Sequence, residues 1–103
     1  MILTLVLHQA DGPVSEDAMR DLVDATAPKY QTIRGLNRKY YISGPNGTAG
    51  GMYEWDDRES ADAFFTDQWR ADMAALYGKE PEVVFFESPA VVDNTVADVL
   101  MDI

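Results

Sequence analysis

The sequence predicts an α+β fold of the ferredoxin-like kind, a β-α-β-β-α-β protomer built on one antiparallel sheet. Three observations predict it. Four short runs rich in branched and aromatic residues are separated by strong turn signals, as in Ile2 to Gln9 followed by Asp11-Gly12-Pro13. Two segments with helical spacing fall after the first run and after the third. All of this fits within 103 residues, enough for one domain with one modest core.

The first strand, Ile2 to Gln9, carries leucines on one side and Ile2, Thr4, Val6 and His8 on the other. Ser15 is a good N-cap, with Glu16 and Asp17 at the positive end of a helix whose buried stripe runs through Met19, Leu22, Val23 and Thr26. Pro28 is expected to kink or end that helix. Leu36 to Ser43 reads as the second strand and Gly51 to Trp55 as the third. Asp56 with Glu59 matches a reciprocal cap. Behind it, a helical stripe of Ala61, Phe64, Phe65, Gln68, Trp69, Met73 and Leu76 runs to a terminating Gly78. Glu82 to Ser88 is the fourth strand, and residues 89–103 form an apolar C-terminal arm or short helix of the same single domain.

The stretch GPNGTAGGMYEW, Gly44 to Trp55, raises the question of a nucleotide site. A phosphate-binding glycine loop joins a strand to a helix, whose N-terminal amides hold the anion. This loop joins strand to strand and no lysine follows its glycines, so it reads as a hairpin connection. Gly50-Gly51, beginning a strand, points to a bulge or to close approach of something else, whether backbone, partner chain or ligand.

A sheet with helices on one face alone is expected to be wet on the other. These strands are apolar on both: Leu3, Leu5 and Leu7 oppose Ile2 and Val6, and Val83 and Phe85 oppose Val84 and Phe86. The economical cover is a second copy, so a homodimer packed sheet against sheet is expected, burying roughly 2,000 Å² or more. The net charge of −10, from 18 acidic and 8 basic side chains, repels phosphates and argues against nucleic acid and anionic membranes as partners. There is no cysteine and one histidine, which excludes thiol chemistry and any multi-histidine metal site within one chain. The apolar start lacks a basic n-region and is too short for a membrane span, so a cytoplasmic location is expected.

GLNRKYYIS followed by a loop, AGGMYEW, an acidic cap and SADAFF resembles the YdhR-like monooxygenases. Those belong to the dimeric α+β barrel superfamily that includes the antibiotic-biosynthesis monooxygenases. The most specific matches are Gly35-Leu36, Lys39, Gly50-Gly51, Tyr53 and Ser60-Ala61. The resemblance implies a dimeric α+β barrel. It also implies a function class: relatives oxidise electron-rich aromatic or polyketide-like molecules with dioxygen and with no metal or flavin. A non-catalytic dimer that binds a small ligand is the alternative within the same fold.

Cofactor-free oxygenation needs a base, a cation or hydrogen-bond donor for the substrate anion, and a water-poor aromatic pocket. His8 is the first candidate base, because its ordinary pKa lies near neutrality. It would serve equally as a strand-end histidine at the sheet margin. Arg38 and Lys39 point to opposite faces, and whichever faces the pocket would hold an enolate or phenolate oxygen. Tyr40 and Tyr41 likewise split between faces, whereas Tyr53 and Trp55 share one. With Phe65 and Trp69 they make an aromatic set suited to a planar hydrophobic ligand, or to a plain core. Tyr53, Trp55 and Trp69 are expected to border one cavity between the sheet and the second helix. No cofactor is expected, for the chain offers no phosphate cradle, cysteine set or histidine cluster.

Overall fold

The computed structural model describes residues 1–101. Its main body is a four-stranded antiparallel sheet in the order β2-β3-β1-β4. The strands are β1 (Ile2–Gln9), β2 (Leu36–Ser43), β3 (Thr48–Trp55) and β4 (Glu82–Glu87). The helix α1 (Glu16–Tyr30) joins β1 to β2, and α2 (Arg58–Phe64) with α3 (Asp67–Tyr77) joins β3 to β4. This is the predicted split β-α-β pattern. No helix among the described residues is long and apolar enough to cross a membrane.

Local chemistry explains the elements. Ser15 caps α1 by accepting a hydrogen bond from the Ala18 N–H at 3.1 Å. Pro28 stands in the last turn of α1, which ends two residues later at Tyr30. Between β2 and β3 the chain turns through a short 3₁₀ segment, Pro45–Gly47, and β3 begins at Thr48, three residues before the expected start. The glycine pair therefore lies within the strand. The bulge in the hairpin falls on the other strand, between Leu36 and Arg38.

The second helical region corrects two expectations. It is capped by Asp57, whose carboxylate accepts from the Ser60 N–H at 2.8 Å. Asp56 instead accepts from the Asn37 side chain. The expected single helix is broken at Phe65, and Thr66 restarts it by accepting from the Trp69 N–H at 3.1 Å. Gly78 closes α3 in the left-handed region, as its position indicated. The C-terminal arm is not a helix: β5 (Ala90–Asp93) pairs with β6 (Asp98–Met101) as a separate hairpin. Residues 102–103 of that arm lie outside the described residues.

The core sits between one end of the sheet and α2–α3. Ile2, Val6, Tyr53, Trp55, Ala61, Phe65 and Trp69 are buried there. The helix break serves this core, because it turns Phe64 and Phe65 inward together. Phe65 meets Trp69 edge-on at 4.9 Å and Tyr53 at 5.2 Å. Trp55 is wholly buried, and its indole N–H donates to Thr4 Oγ1 at 3.0 Å. Removing that acceptor would leave a buried donor unpaired, at a cost of about 1–3 kcal/mol.

Packing is different under α1. None of its residues is buried, although it lies over the same sheet face. Beneath it β3 presents Gly51 and Ala49, which offer little side chain to meet a helix. The gap between α1, α3 and the sheet is a cavity.

Candidate functional site

The cavity has a volume of about 340 Å³ and is walled mainly by apolar groups of α1 and α3, such as Met19, Leu22, Met73 and Leu76. Its polar groups come from the strands and from the end of α1. Register explains which ones. On the helix-facing side, Lys39 stands opposite Tyr53, which stands opposite Thr4, while Tyr41 stands opposite Gly51 and then Val6. A side chain at Gly51 would come within 3.1 Å of both Lys39 Cε and the Tyr53 ring. The missing side chain is what lets Lys39 lean across β3. Gly50 is different: a Cβ there would lie 1.8 Å from the Val6 carbonyl oxygen, so it serves close backbone packing.

Lys39 Nζ lies 3.5 Å from the centre of the Tyr30 ring, 4.1 Å from that of Tyr41 and 5.1 Å from that of Tyr53. Ring faces return part of the hydration that the ammonium loses. Burial nevertheless prevails, with the nearby Lys29 charge adding to it, and the Lys39 pKa falls to about 7. The lysine is therefore divided between amine and ammonium at neutral pH.

The phenols around it are fixed. Burial raises the pKa values of Tyr53 and Tyr30, so both remain neutral donors at physiological pH. Tyr41 Oη lies 2.7 Å from Thr26 Oγ1, and the Thr26 hydroxyl donates to the Leu22 carbonyl. Its single proton being committed there, Tyr41 is the donor of the pair.

At the other end, the His8 ring stacks on Tyr77 of α3, with centroids 4.2 Å apart. Burial first, and the Lys39 charge second, lower the His8 pKa, so the imidazole is neutral at pH 7. Its Nδ1 is buried and has no hydrogen-bond partner among the described residues. Among the described residues no Asp or Glu lines the cavity, in a chain with 18 of them. The wall thus holds an amine of adjustable charge, a neutral imidazole and several phenols.

The expected site residues separate into three groups. His8, Lys39, Tyr41, Tyr53 and Trp69 all line the cavity. Arg38 and Tyr40 lie on the opposite sheet face: Arg38 reaches Glu54 at 3.9 Å, and Tyr40 is 46 % exposed. Strand alternation puts them there, one residue out of step with Lys39 and Tyr41. Trp55 and Phe65 are in the core, because the helix break closes over them. The cavity therefore has Tyr53 and Trp69 on its border without Trp55, and α1 shares its roof with α3. Sequence reading missed Lys29, Tyr30, Thr26 and Tyr77. Lys29-Tyr30 and Thr26 share α1 with its apolar stripe, and that one-helix-face spacing was the available signal.

The sequence matches no protein-family profile, and no curated protein matches it. Solved structures do match. A monooxygenase from the gene ActVA-Orf6 of Streptomyces coelicolor, in complex with the ligand nanaomycin D, superposes with a TM-score of 0.65 at 15% identity. The match covers 89% of this chain and 90% of that one. NE2512 of Nitrosomonas europaea, a protein of unknown function, gives a TM-score of 0.66 at 19% identity, over 87% of this chain and 90% of its own. The chain thus shares the α+β, ferredoxin-like fold of both.

Proposed function

We propose that the chain is a cofactor-independent monooxygenase of the YdhR-like kind, working as a homodimer on an electron-rich aromatic or polyketide-like molecule with dioxygen. The observation that carries this reading is the largely apolar cavity, with no carboxylate among its described lining residues and with Lys39 enclosed by Tyr30, Tyr41 and Tyr53. The monooxygenase among its fold neighbours adds support at the level of fold alone.

The chemistry follows from the charge state of the lysine. A phenolic or enolic substrate R₂CH₂ enters the cavity and gives a proton to the amine form of Lys39. The base thereby becomes the counter-ion, and the aromatic cage and the Tyr30 hydroxyl hold the new oxyanion. The electron-rich anion passes one electron to dioxygen, and the radical pair combines to the hydroperoxide anion. Lys39 returns its proton, giving R₂CH–OOH. Loss of water then leaves the carbonyl, with neutral His8 taking the remaining C–H proton as hydroxide departs. In sum, R₂CH₂ and O₂ give R₂C=O and H₂O.

Oxygen uptake with a hydroxylated anthrone tests this. One O₂ consumed per quinone formed, with the rate reduced at least about a hundredfold in Lys39→Met as expected for loss of a general base, is the predicted result. Quinone formation no faster than without protein would overturn it.

A further inference from the structure

Lys39 has a second chemical capacity that needs no oxygen. Amines become nucleophiles when they are held unprotonated in an apolar pocket near another cation. Nζ stands among three tyrosine rings at the wall of the cavity, and Lys29 lines the same cavity. The titratable groups that face it are Lys29 and Tyr30 of α1, Tyr41 of its own strand and Tyr53 of β3. Across the cavity lie His8 of β1 and Tyr77 of α3. None of these described residues is a carboxylate, so none of them holds Lys39 as a fixed ion pair.

We propose that this cavity captures carbonyl compounds, with Lys39 Nζ forming a reversible imine with an aldehyde or ketone carried on a flat apolar body. The amine lone pair attacks the carbonyl carbon, and the carbonyl π pair moves to oxygen, which takes a proton as nitrogen loses one. The resulting carbinolamine loses its hydroxyl, together with the second nitrogen proton, as water. Amine and carbonyl give imine and water, with no oxidant or reductant. Tyr30, kept neutral by burial and accepting from the Tyr53 hydroxyl, keeps its own proton as the donor for the departing hydroxyl. The apolar walls supply room for the carbon skeleton and keep out the water that would reverse the step. This capacity shares the cavity with the oxygenation proposed above but does not depend on it.

The probe is 2-hydroxy-1-naphthaldehyde, added to the full chain under nitrogen at neutral pH with cyanoborohydride, followed by peptide mass mapping. Expected is a single reduced lysine adduct, on Lys39, formed at least about tenfold faster than on Lys29 or Lys79. Lys39→Arg, which preserves a long cationic side chain, is expected to lose the adduct while keeping its circular dichroism. Labelling spread evenly over the three lysines, or an undiminished adduct yield in Lys39→Arg, would overturn the proposal. Because no oxygen is present, either outcome leaves the oxygenase reading to its own assay.

Discussion

Lys39 is the residue in which burial, neighbouring charge and strand register meet. Its folded pKa of about 7 lies below the ordinary lysine value of 10.5. Between those values the unfolded chain binds more protons than the folded one, so stability rises with pH. Below about pH 7 both states are protonated and the full penalty of burying the cation is present. The usable window runs from about pH 7 to the tyrosine range near 10, where the raised Tyr30 and Tyr53 begin to act in the opposite sense. Lys29 offers the cleanest test, because its charge adds to the depression without belonging to the cage. Replacing it, as Lys29→Met, removes a repulsion and lets Lys39 hold its proton longer. The pH profile of kcat/KM, rising with the amine form, is expected to shift its midpoint upward from about 7 in that variant. A profile unmoved by Lys29→Met would remove Lys39 from the role of titrating base.

At the scale of elements, the glycine pair of β3 divides its duties. Gly50 lets the β1 backbone approach, and Gly51 clears the floor of the cavity. Gly50→Ala is therefore expected to destabilise by more than about 2 kcal/mol, read from urea unfolding, since its Cβ meets backbone that cannot move aside. A loss under about 0.5 kcal/mol would show that the strands can part there. Much of the sheet was legible in the sequence, because alternation in KYY and MYEW fixes which side chain shares a face with which. The same alternation kept Arg38 apart from Lys39. The helix break was harder to read: Phe64, Phe65, Trp69 and Met73 fit one continuous stripe, and only Thr66-Asp67 marked the restart. The cavity itself was legible only in part. Aromatic spacing placed Tyr53 with Trp55, but whether rings meet each other or a void depends on how closely a helix settles. The stand-off of α1 is a tertiary outcome that follows from small residues on a strand far away in sequence.

The whole molecule presents two sheet faces with different covers. One meets the helices. The other carries Leu3, Leu5, Leu7, Ile42, Met52 and Val84, none of them buried, and Phe86 at 47 % exposure. The homodimer proposed above would pack through this exposed apolar patch. A homodimer through it is the expected state, and Leu5→Lys, at the centre of the face between Met52 and Val84, is expected to yield monomers in sedimentation at micromolar concentration. An unchanged sedimentation coefficient in Leu5→Lys, or a monomeric parent protein, would place the interface elsewhere or remove it. Ligand is expected to enter between the sheet and α1 rather than at this outer face. Tryptophan quenching by a planar hydroxyanthraquinone tests it most directly, since Trp69 borders the cavity whereas Trp55 is sealed in the core. Expected is saturable quenching that disappears in Gly51→Leu, which fills the cavity floor, while the oligomeric state stays that of the parent protein. Equal quenching in Gly51→Leu and the parent protein would contradict it.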